Sequence, residues 1–322
     1  MNIAILGYGT IGKGVFEIVN NRSDITVLKI LERPERVDEK YKDLFVSSIE
    51  EIVNDENIDL VVEVLGGYDF AKNCITKAIY NKKHVVTANK EIIAKDIDEL
   101  LQLANEHNVS LLYEASVGGG IPIIKNLKAI TLVSRINKIT GILNGTTNYI
   151  ITNMFNGISF EDALKQAQKL GFAEADPTAD LEGYDMMRKI AILSDLAWNT
   201  KIDINLIKHV SFRTISDEDI KQAKKENKVI KFVCESVLNN GKVTINVCPK
   251  VFDKTHLFAN VNYEVNAIIL ETQPNDTLTF IGKGAGSLPT ASAVVSDIVD
   301  IMNNKNIETY KNLNKYIINE GE

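Results

Sequence analysis

Asp185 and Lys189 lie four positions apart in the stretch GYDMMRKIAI, within a segment whose pattern predicts a helix over 183–198. Residues four apart share one face of a helix, so the carboxylate and the ammonium are expected to lie together. The commonest meaning of such a pair is a solvated ion pair on the surface. A buried lysine has another use, because an ammonium beside a carbonyl oxygen stabilises a developing alkoxide and can hand over a proton.

A glycine-rich turn, GYGTIG, follows an apolar strand pattern at 2–6 and precedes a helical pattern. Gly7 permits a tight turn, Gly9 lets the backbone approach a pyrophosphate, and Gly12 lets the helix pack on the strand. The context predicts a dinucleotide site; the alternative is a structural turn in an unrelated α/β protein. The predicted cofactor contacts in this turn are Gly7, Gly9, Thr10, Ile11 and Gly12.

The end of the second predicted strand should contact the ribose of the dinucleotide, and the chain has Glu32 and Arg33 there. An acid at this place accepts hydrogen bonds from the ribose hydroxyls of NAD, whereas Arg33 could pair with the extra phosphate of NADP. Arg36 close by tips the prediction slightly toward NADP. The alternative interpretation is that both arginines are solvated loop charges.

Two different element patterns follow each other along the chain. Strands alternate with helices up to about residue 130, which predicts βαβ units and a parallel sheet. Beyond that point, helices and alternating runs predict an antiparallel or mixed sheet covered on one face by helices. The predicted strands are 2–6, 25–31, 58–64, 84–87, 111–113, 138–143, 242–247, 263–270 and 277–282, with helices near 70–81, 97–107, 149–155, 160–170 and 183–198, and a last helix starting near Pro289.

Composition excludes several classes of protein. The 322 residues favour two domains, and 45% apolar with 25% charged residues is typical of a folded chain. A net charge of −7 gives no attraction to nucleic acid or to anionic lipid. Three cysteines without a CxxC spacing suggest neither a disulfide framework nor a zinc site. With no signal peptide pattern and no apolar run of about 20 residues, we expect a cytoplasmic protein that does not bind membranes.

Five further segments, in order and spacing, resemble the signature segments of homoserine dehydrogenases. The resemblance extends from Asn2 to about Met302 and implies NAD(P)-dependent interconversion of L-aspartate 4-semialdehyde and L-homoserine, a step in threonine, methionine and isoleucine biosynthesis. The segments are TANK (87–90), YEASVGGGIPII (113–124), GILNGTTNY (141–149), AEADPTADLEGYDMMRK (173–189) and GKGAG (282–286) followed by PTASAVVSDI.

The resemblance assigns roles to the long fourth segment. Lys189 is implied as the proton donor and Asp185 as its supporting carboxylate. Glu174 matches the family's substrate-binding glutamate, which would hold the ammonium of the amino acid, and Asp180 is a further contact. Asp176 is interpreted as structural, since a carboxylate is favourable at a helix start.

The resemblance also implies contacts to the cofactor and to a cation. Lys90 follows the fourth strand, at the sheet edge where ligands of such folds bind, although a lysine there more often faces solvent. Gly286 matches a position that approaches the cofactor. A monovalent cation, Na or K, would be held mainly by backbone carbonyls with one carboxylate; the alternative is a glycine loop shaped for close approach to a ligand. The predicted cation ligands are Glu114, Val117, Gly119 and Ile121.

The predicted fold class is α/β, a Rossmann doubly wound parallel sheet plus an α+β substrate and dimerisation domain. We expect a dinucleotide-binding domain at 1–130, rejoined by a C-terminal helix at about 285–322, and a catalytic and dimerisation domain at 131–284. The resemblance implies a homodimer. Without a kinase segment before the glycine turn or a regulatory extension, we expect a monofunctional enzyme that threonine does not inhibit through such a domain.

Two alternatives to this function remain, one of them another enzyme and the other a non-catalytic module. Another Rossmann-fold dehydrogenase could act on a different semialdehyde or on a sugar, and the segment 173–189 argues against it. A non-catalytic dinucleotide-sensing module would bind cofactor without turnover, and an apolar residue in place of Lys189 would favour it.

Overall fold

The computed structural model describes residues 1–303 and 317–318. None of the helices in this part of the chain is both long and apolar enough to span a membrane. The strands are β1 (Asn2–Leu6), β2 (Thr26–Leu31), β3 (Phe45–Val46), β4 (Leu60–Glu63), β5 (His84–Thr87), β6 (Leu111–Leu112), β7 (Arg135–Ile142), β8 (Lys208–His209), β9 (Lys228–Asn239), β10 (Lys242–Asp253), β11 (Val265–Gln273), β12 (Asp276–Lys283) and β13 (Ile317–Ile318). The α-helices are α1 (Thr10–Asn20), α2 (Glu50–Val53), α3 (Asp69–Tyr80), α4 (Lys90–Glu106), α5 (Ile123–Thr131), α6 (Gly145–Phe155), α7 (Phe160–Lys169), α8 (Thr178–Leu181), α9 (Tyr184–Trp198), α10 (Asp217–Lys225) and α11 (Ser287–Met302).

The first of two compact units contains Met1–Pro122 and the segment that begins at Gly286. Its six strands are parallel, in the order β3-β2-β1-β4-β5-β6. This is the strand order of a doubly wound dinucleotide-binding fold. Ile3, Ile5, Leu60 and Val62 of the central strands have no exposed surface, as expected for a parallel sheet covered on both faces. The predicted Rossmann sheet is confirmed.

The last helix, α11, packs against α1 within this first unit. The contact is close because Gly14 of α1 has no side chain; a Cβ there would lie 3.0 Å from that of Ala291. The helix ends at Met302 and does not continue to 322 as predicted, since Ile317–Ile318 pair in parallel with β10. The rest of the predicted C-terminal helix lies outside the described residues.

The second unit contains Ile123–Ala285 and Ile317–Ile318, with a sheet ordered β12-β11-β7-β9-β10-β13 and β8 beside β10. Its long strands are antiparallel, and α6 and α9 pack on them. The predicted mixed sheet with helices is confirmed. The units divide at 122/123 and 285/286, whereas the sequence predicted 130/131 and 284/285. The first boundary lies earlier because α5 packs against α9 and β7 of the second unit.

Candidate active site and dinucleotide turn

Lys189 and Asp185 form a buried ion pair on the inner face of α9, with 2.7 Å between Nζ and Oδ2. Lys189 also donates to the carbonyl oxygen of Leu143, the residue after β7, over 2.6 Å. The two residues are only 8% and 4% exposed, respectively. This burial excludes the interpretation as a solvated surface pair. The ammonium is instead held in one position by two acceptors on two different elements.

Asn144, which the sequence analysis did not assign, joins this pair to Asp180. Its side-chain amide donates to Asp180 Oδ1 over 2.7 Å and to Asp185 Oδ2 over 2.9 Å. Its Oδ1 accepts from the backbone N–H of Thr147 and so caps the N-terminus of α6. An asparagine before a glycine at the start of a helical run is a capping signal that could have pointed to this residue.

Asp180 lies in the short helix α8, close to the other carboxylate of the cluster. Burial raises the pKa of Asp180, and the negative charge of Asp185 raises it further, while the Asn144 amide and the Lys189 ammonium lower it. Two carboxylates therefore lie near one lysine, and Asp185 forms the ion pair with it. A cation beside Asp180, such as the ammonium group of an amino acid, would favour the charged form of its carboxylate.

The other two acidic residues of the segment lie at its surface. Glu174 is exposed; its backbone carbonyl accepts from Gln168, and none of the described contacts joins its carboxylate to the Lys189 cluster. Asp176 accepts from the backbone and the hydroxyl of Thr178 at the start of α8. The structure thus brings together Lys189, Asp185 and Asp180, and leaves Glu174 outside that group.

In the glycine turn of the first unit, Gly7, Gly9 and Gly12 each lack a side chain for a different reason. Gly7 has a φ of +100°, and a Cβ there would lie 2.8 Å from the carbonyl oxygen of Val64. At Gly12 a Cβ would lie 2.0 Å from the carbonyl oxygen of Gly7, so the helix closes on the turn itself. At Gly9 a Cβ would meet no described atom within 4 Å. Only Gly9 therefore leaves open space at the N-terminus of α1, where an anionic ligand is favoured.

Glu32, and not the guanidinium of Arg33, contacts this turn. One carboxylate oxygen of Glu32 accepts from the backbone N–H of Tyr8 over 2.8 Å, and the other accepts from the backbone N–H of Arg33 over 2.9 Å. Arg33 is exposed and begins a short 3-10 helix at Pro34. Among the described residues we find no ion pair that includes its side chain. A fixed negative charge therefore lies at the end of β2.

Two further predicted cofactor residues lie in the first unit. Gly286 has a φ of +114° and precedes α11, and the hydroxyl of the next residue, Ser287, donates to the carbonyl oxygen of Thr10 over 2.6 Å. The late glycine loop is thereby joined to the first turn of α1. Lys90 is the first residue of α4, which begins earlier than the predicted 97 because Asn89 caps it.

The predicted cation loop is buried from Glu114 to Gly119. The Glu114 backbone N–H donates to Asp297 Oδ2, and Gly118 and Gly119 have φ values of +78° and +54°. Only glycine adopts that backbone readily, so the loop's course depends on it. In the part of the chain that the structure describes, no three His, Cys, Asp or Glu side chains are grouped as metal ligands. A cation at this loop would therefore have to be held mainly by backbone carbonyls.

Comparison with known proteins finds matches over both units. A family model described as homoserine dehydrogenase matches residues 122–299, and one described as its NAD binding domain matches 7–114. A homoserine dehydrogenase of Bacillus subtilis (strain 168) is 38% identical over 318 residues, covering 94% of this chain and 73% of that protein. A crystal structure of a homoserine dehydrogenase from Thiobacillus denitrificans has a TM-score of 0.92 and 32% identity, covering 99% of this chain and 79% of its own. A hyperthermophilic archaeal homoserine dehydrogenase in complex with NADPH has a TM-score of 0.81 and 26% identity, covering 97% and 99%.

Proposed function

This chain belongs to the homoserine dehydrogenase family, and we infer from that premise that it interconverts L-homoserine and L-aspartate 4-semialdehyde. It is an oxidoreductase of amino-acid biosynthesis, and its cofactor is a nicotinamide dinucleotide. The observation that carries this conclusion is a match to homoserine dehydrogenases that spans both units, at 38% identity over 94% of the chain. The open space at Gly9 and the tight packing at Gly7 and Gly12 fit the pyrophosphate of that cofactor.

We propose that Lys189 donates the proton that the reduction requires and accepts it in the oxidation. The bound dinucleotide supplies the hydride for reduction, and the carbonyl oxygen of the semialdehyde must then gain a proton. In the described part of the chain, two acceptors hold the Lys189 ammonium, Asp185 Oδ2 and the Leu143 carbonyl. Its third hydrogen remains for the substrate oxygen, where the positive charge also stabilises developing negative charge. Asp185 fixes the ammonium in place.

We propose that Asp180 attracts the substrate's ammonium group. Its carboxylate is held by Asn144 within the Lys189 cluster, and burial with a nearby like charge gives it a raised pKa. A cationic group beside it relieves that cost. Glu174 remains a proposed substrate contact on the family resemblance alone, since its side chain is exposed.

The experiment that tests the function is a spectrophotometric assay of the purified chain. We expect reduction of NAD(P)⁺ when L-homoserine is supplied and oxidation of NAD(P)H when L-aspartate 4-semialdehyde is supplied. A panel of other semialdehydes and of sugars is the control, with much lower kcat/KM expected. Cofactor binding without turnover on either substrate would contradict the function and would point to a dinucleotide-sensing module.

We propose further that the cofactor is NAD in preference to NADP. Glu32 is fixed on the glycine turn by two backbone N–H groups, so its carboxylate can accept hydrogen bonds from the ribose hydroxyls. The same charge repels a phosphate on that ribose. This proposal reverses the slight preference for NADP that the sequence suggested. The archaeal relative in complex with NADPH is only 26% identical to this chain. The cofactor preference proposed here is therefore argued from this chain's own residues.

The cofactor preference is tested with Glu32→Gln. We expect the unchanged protein to bind NADH roughly 10-fold more tightly than NADPH, and the variant to lose most of that ratio because the repulsion is gone. Fluorescence titration of the reduced cofactors measures both dissociation constants. Glu35→Gln, an exposed carboxylate three residues away, is the control and should keep the ratio. Tighter binding of NADPH by the unchanged protein would refute the preference.

Two other parts of the prediction stay proposals. We propose that the loop with Glu114, Val117, Gly119 and Ile121 binds a monovalent cation, supported by its burial and its two glycines of positive φ. We also propose that the chain forms a homodimer through strands of its second unit, which rests on the family resemblance.

A further inference from the structure

Glu63, the last residue of β4, is a carboxylate with no exposed surface. One of its oxygens accepts from the hydroxyl of Thr87, at the end of the neighbouring strand β5, and the other accepts from the backbone N–H of Leu65 over 2.9 Å. A buried carboxylate is costly unless its oxygens are hydrogen-bonded, and here the donors come from two different strand ends. The proton transfer proposed above does not use this residue.

The hydrogen bonds continue from Thr87 to the start of α4. The Thr87 oxygen accepts from the backbone N–H of Asn89 over 2.9 Å, and the Asn89 side chain donates to the Gly67 carbonyl over 2.7 Å. The same side chain caps α4 by accepting from the backbone N–H of Ile92. Glu63 therefore connects the loop after β4 to the loop after β5, and the first helical residue set by this network is Lys90.

The loop after β4 also touches the glycine turn. β4 pairs with β1, and the Val64 carbonyl lies so close to Gly7 that a Cβ there would be 2.8 Å away. Gly66 and Gly67, next in the loop, both have positive φ, at +77° and +73°. Such a backbone has no intrinsic preference for one arrangement and needs contacts to hold it. The carboxyl edge of the sheet, where ligands of this fold bind, is thus organised around Glu63.

We propose that Glu63 is a positioning residue for the dinucleotide, acting through Thr87 and Asn89 on the loop 64–67 and on Lys90. The inference rests on the proposed function, which places the cofactor at this edge. Burial raises the pKa of Glu63, while the hydrogen bonds from the Thr87 hydroxyl and the Leu65 N–H lower it by stabilising the charged form. A glutamine of the same shape would turn its own N–H groups toward either the Thr87 hydroxyl or the Leu65 N–H.

The test compares Glu63→Gln, Thr87→Val and Thr87→Ser. We expect the first two variants to bind NADH roughly 10-fold more weakly than the unchanged protein. Thr87→Ser should bind NADH as tightly as the unchanged protein, because serine keeps the hydroxyl. Lys83→Met is the matched control. Lys83 is buried before β5, at the opposite edge of the sheet, where it donates to the carbonyls of Asp55 and Ile58. Its loss should lower the melting temperature and leave NADH binding unchanged.

Binding is measured by NADH fluorescence at a temperature where circular dichroism shows every variant folded. If Glu63→Gln does not fold, the valine and serine variants at Thr87 decide the question. Unchanged NADH affinity in Thr87→Val, or weakening by Lys83→Met to the same extent, would overturn the positioning role. Absence of NADH binding by the unchanged protein would instead overturn the proposed function, and this inference with it.

Discussion

Replacing Lys189 by alanine is expected to lower the turnover number for homoserine oxidation by about 100-fold or more, the usual contribution of a positioned acid or base. The ammonium is held by Asp185 and by the Leu143 carbonyl, so it can act at one fixed point, and alanine has no group that can replace it. Steady-state kinetics with saturating cofactor measure the effect. NADH affinity should stay close to that of the unchanged protein, because the glycine turn belongs to the other unit.

The control for this variant is Arg188→Ala, which removes the adjacent, partly exposed cation of α9. Losing Lys189 also leaves Asp185 buried without its ion-pair partner, which costs about 3–5 kcal/mol of stability. Rates must therefore be compared at a temperature where circular dichroism shows the variant folded. If Lys189→Ala and Arg188→Ala had equal turnover numbers, the proposed role of Lys189 in the proton transfer would be wrong.

The pairing of Asp185 with Lys189 could be predicted from sequence because helical spacing places both side chains on one face, whereas their proposed catalytic roles came from the family resemblance. The burial of this pair could not be predicted, since that depends on the sheet beneath α9. Asn144 was missed for a similar reason: it is distant in sequence from both aspartates, and only the end of β7 brings it to them. Glu174 shows the opposite case, because its segment matches a family pattern while its side chain is exposed in the structure.

Five of the six strands of the first sheet were predicted, because turn residues and helical patterns separate them; the two-residue strand β3 was missed. The strand β9 was missed. Its sequence, KVIKFVCESVLN, has no strict alternation, because it lies between β7 and β10 and its residues 230–234 are all buried. The start of α4 was placed at 97 although Ile92 and Ile93 are already buried in its first turn, because the Asn89 cap that begins the helix was not recognised.

The prediction with the other large effect is that Gly9→Ala weakens NADH binding by roughly 100-fold, or about 2.8 kcal/mol, without destabilising the fold. Gly9 has a φ of −78° and a ψ of −158°, a conformation that alanine adopts readily. Its Cβ would meet no described atom within 4 Å. The methyl group would therefore project only into the space where the pyrophosphate approaches the backbone. Fluorescence titration and thermal denaturation measure binding and stability separately.

Gly12→Ala is the control that separates an effect on the ligand from an effect on the fold. There the Cβ would lie 2.0 Å from the Gly7 carbonyl oxygen, so the turn must open, and we expect both the melting temperature and NADH affinity to fall. A glycine needed for the fold loses both properties, whereas a glycine needed for the ligand loses binding alone. If Gly9→Ala bound NADH as tightly as the unchanged protein, the open space above Gly9 would not be the pyrophosphate site. The dinucleotide would then have to approach the first unit elsewhere along the carboxyl edge of its sheet.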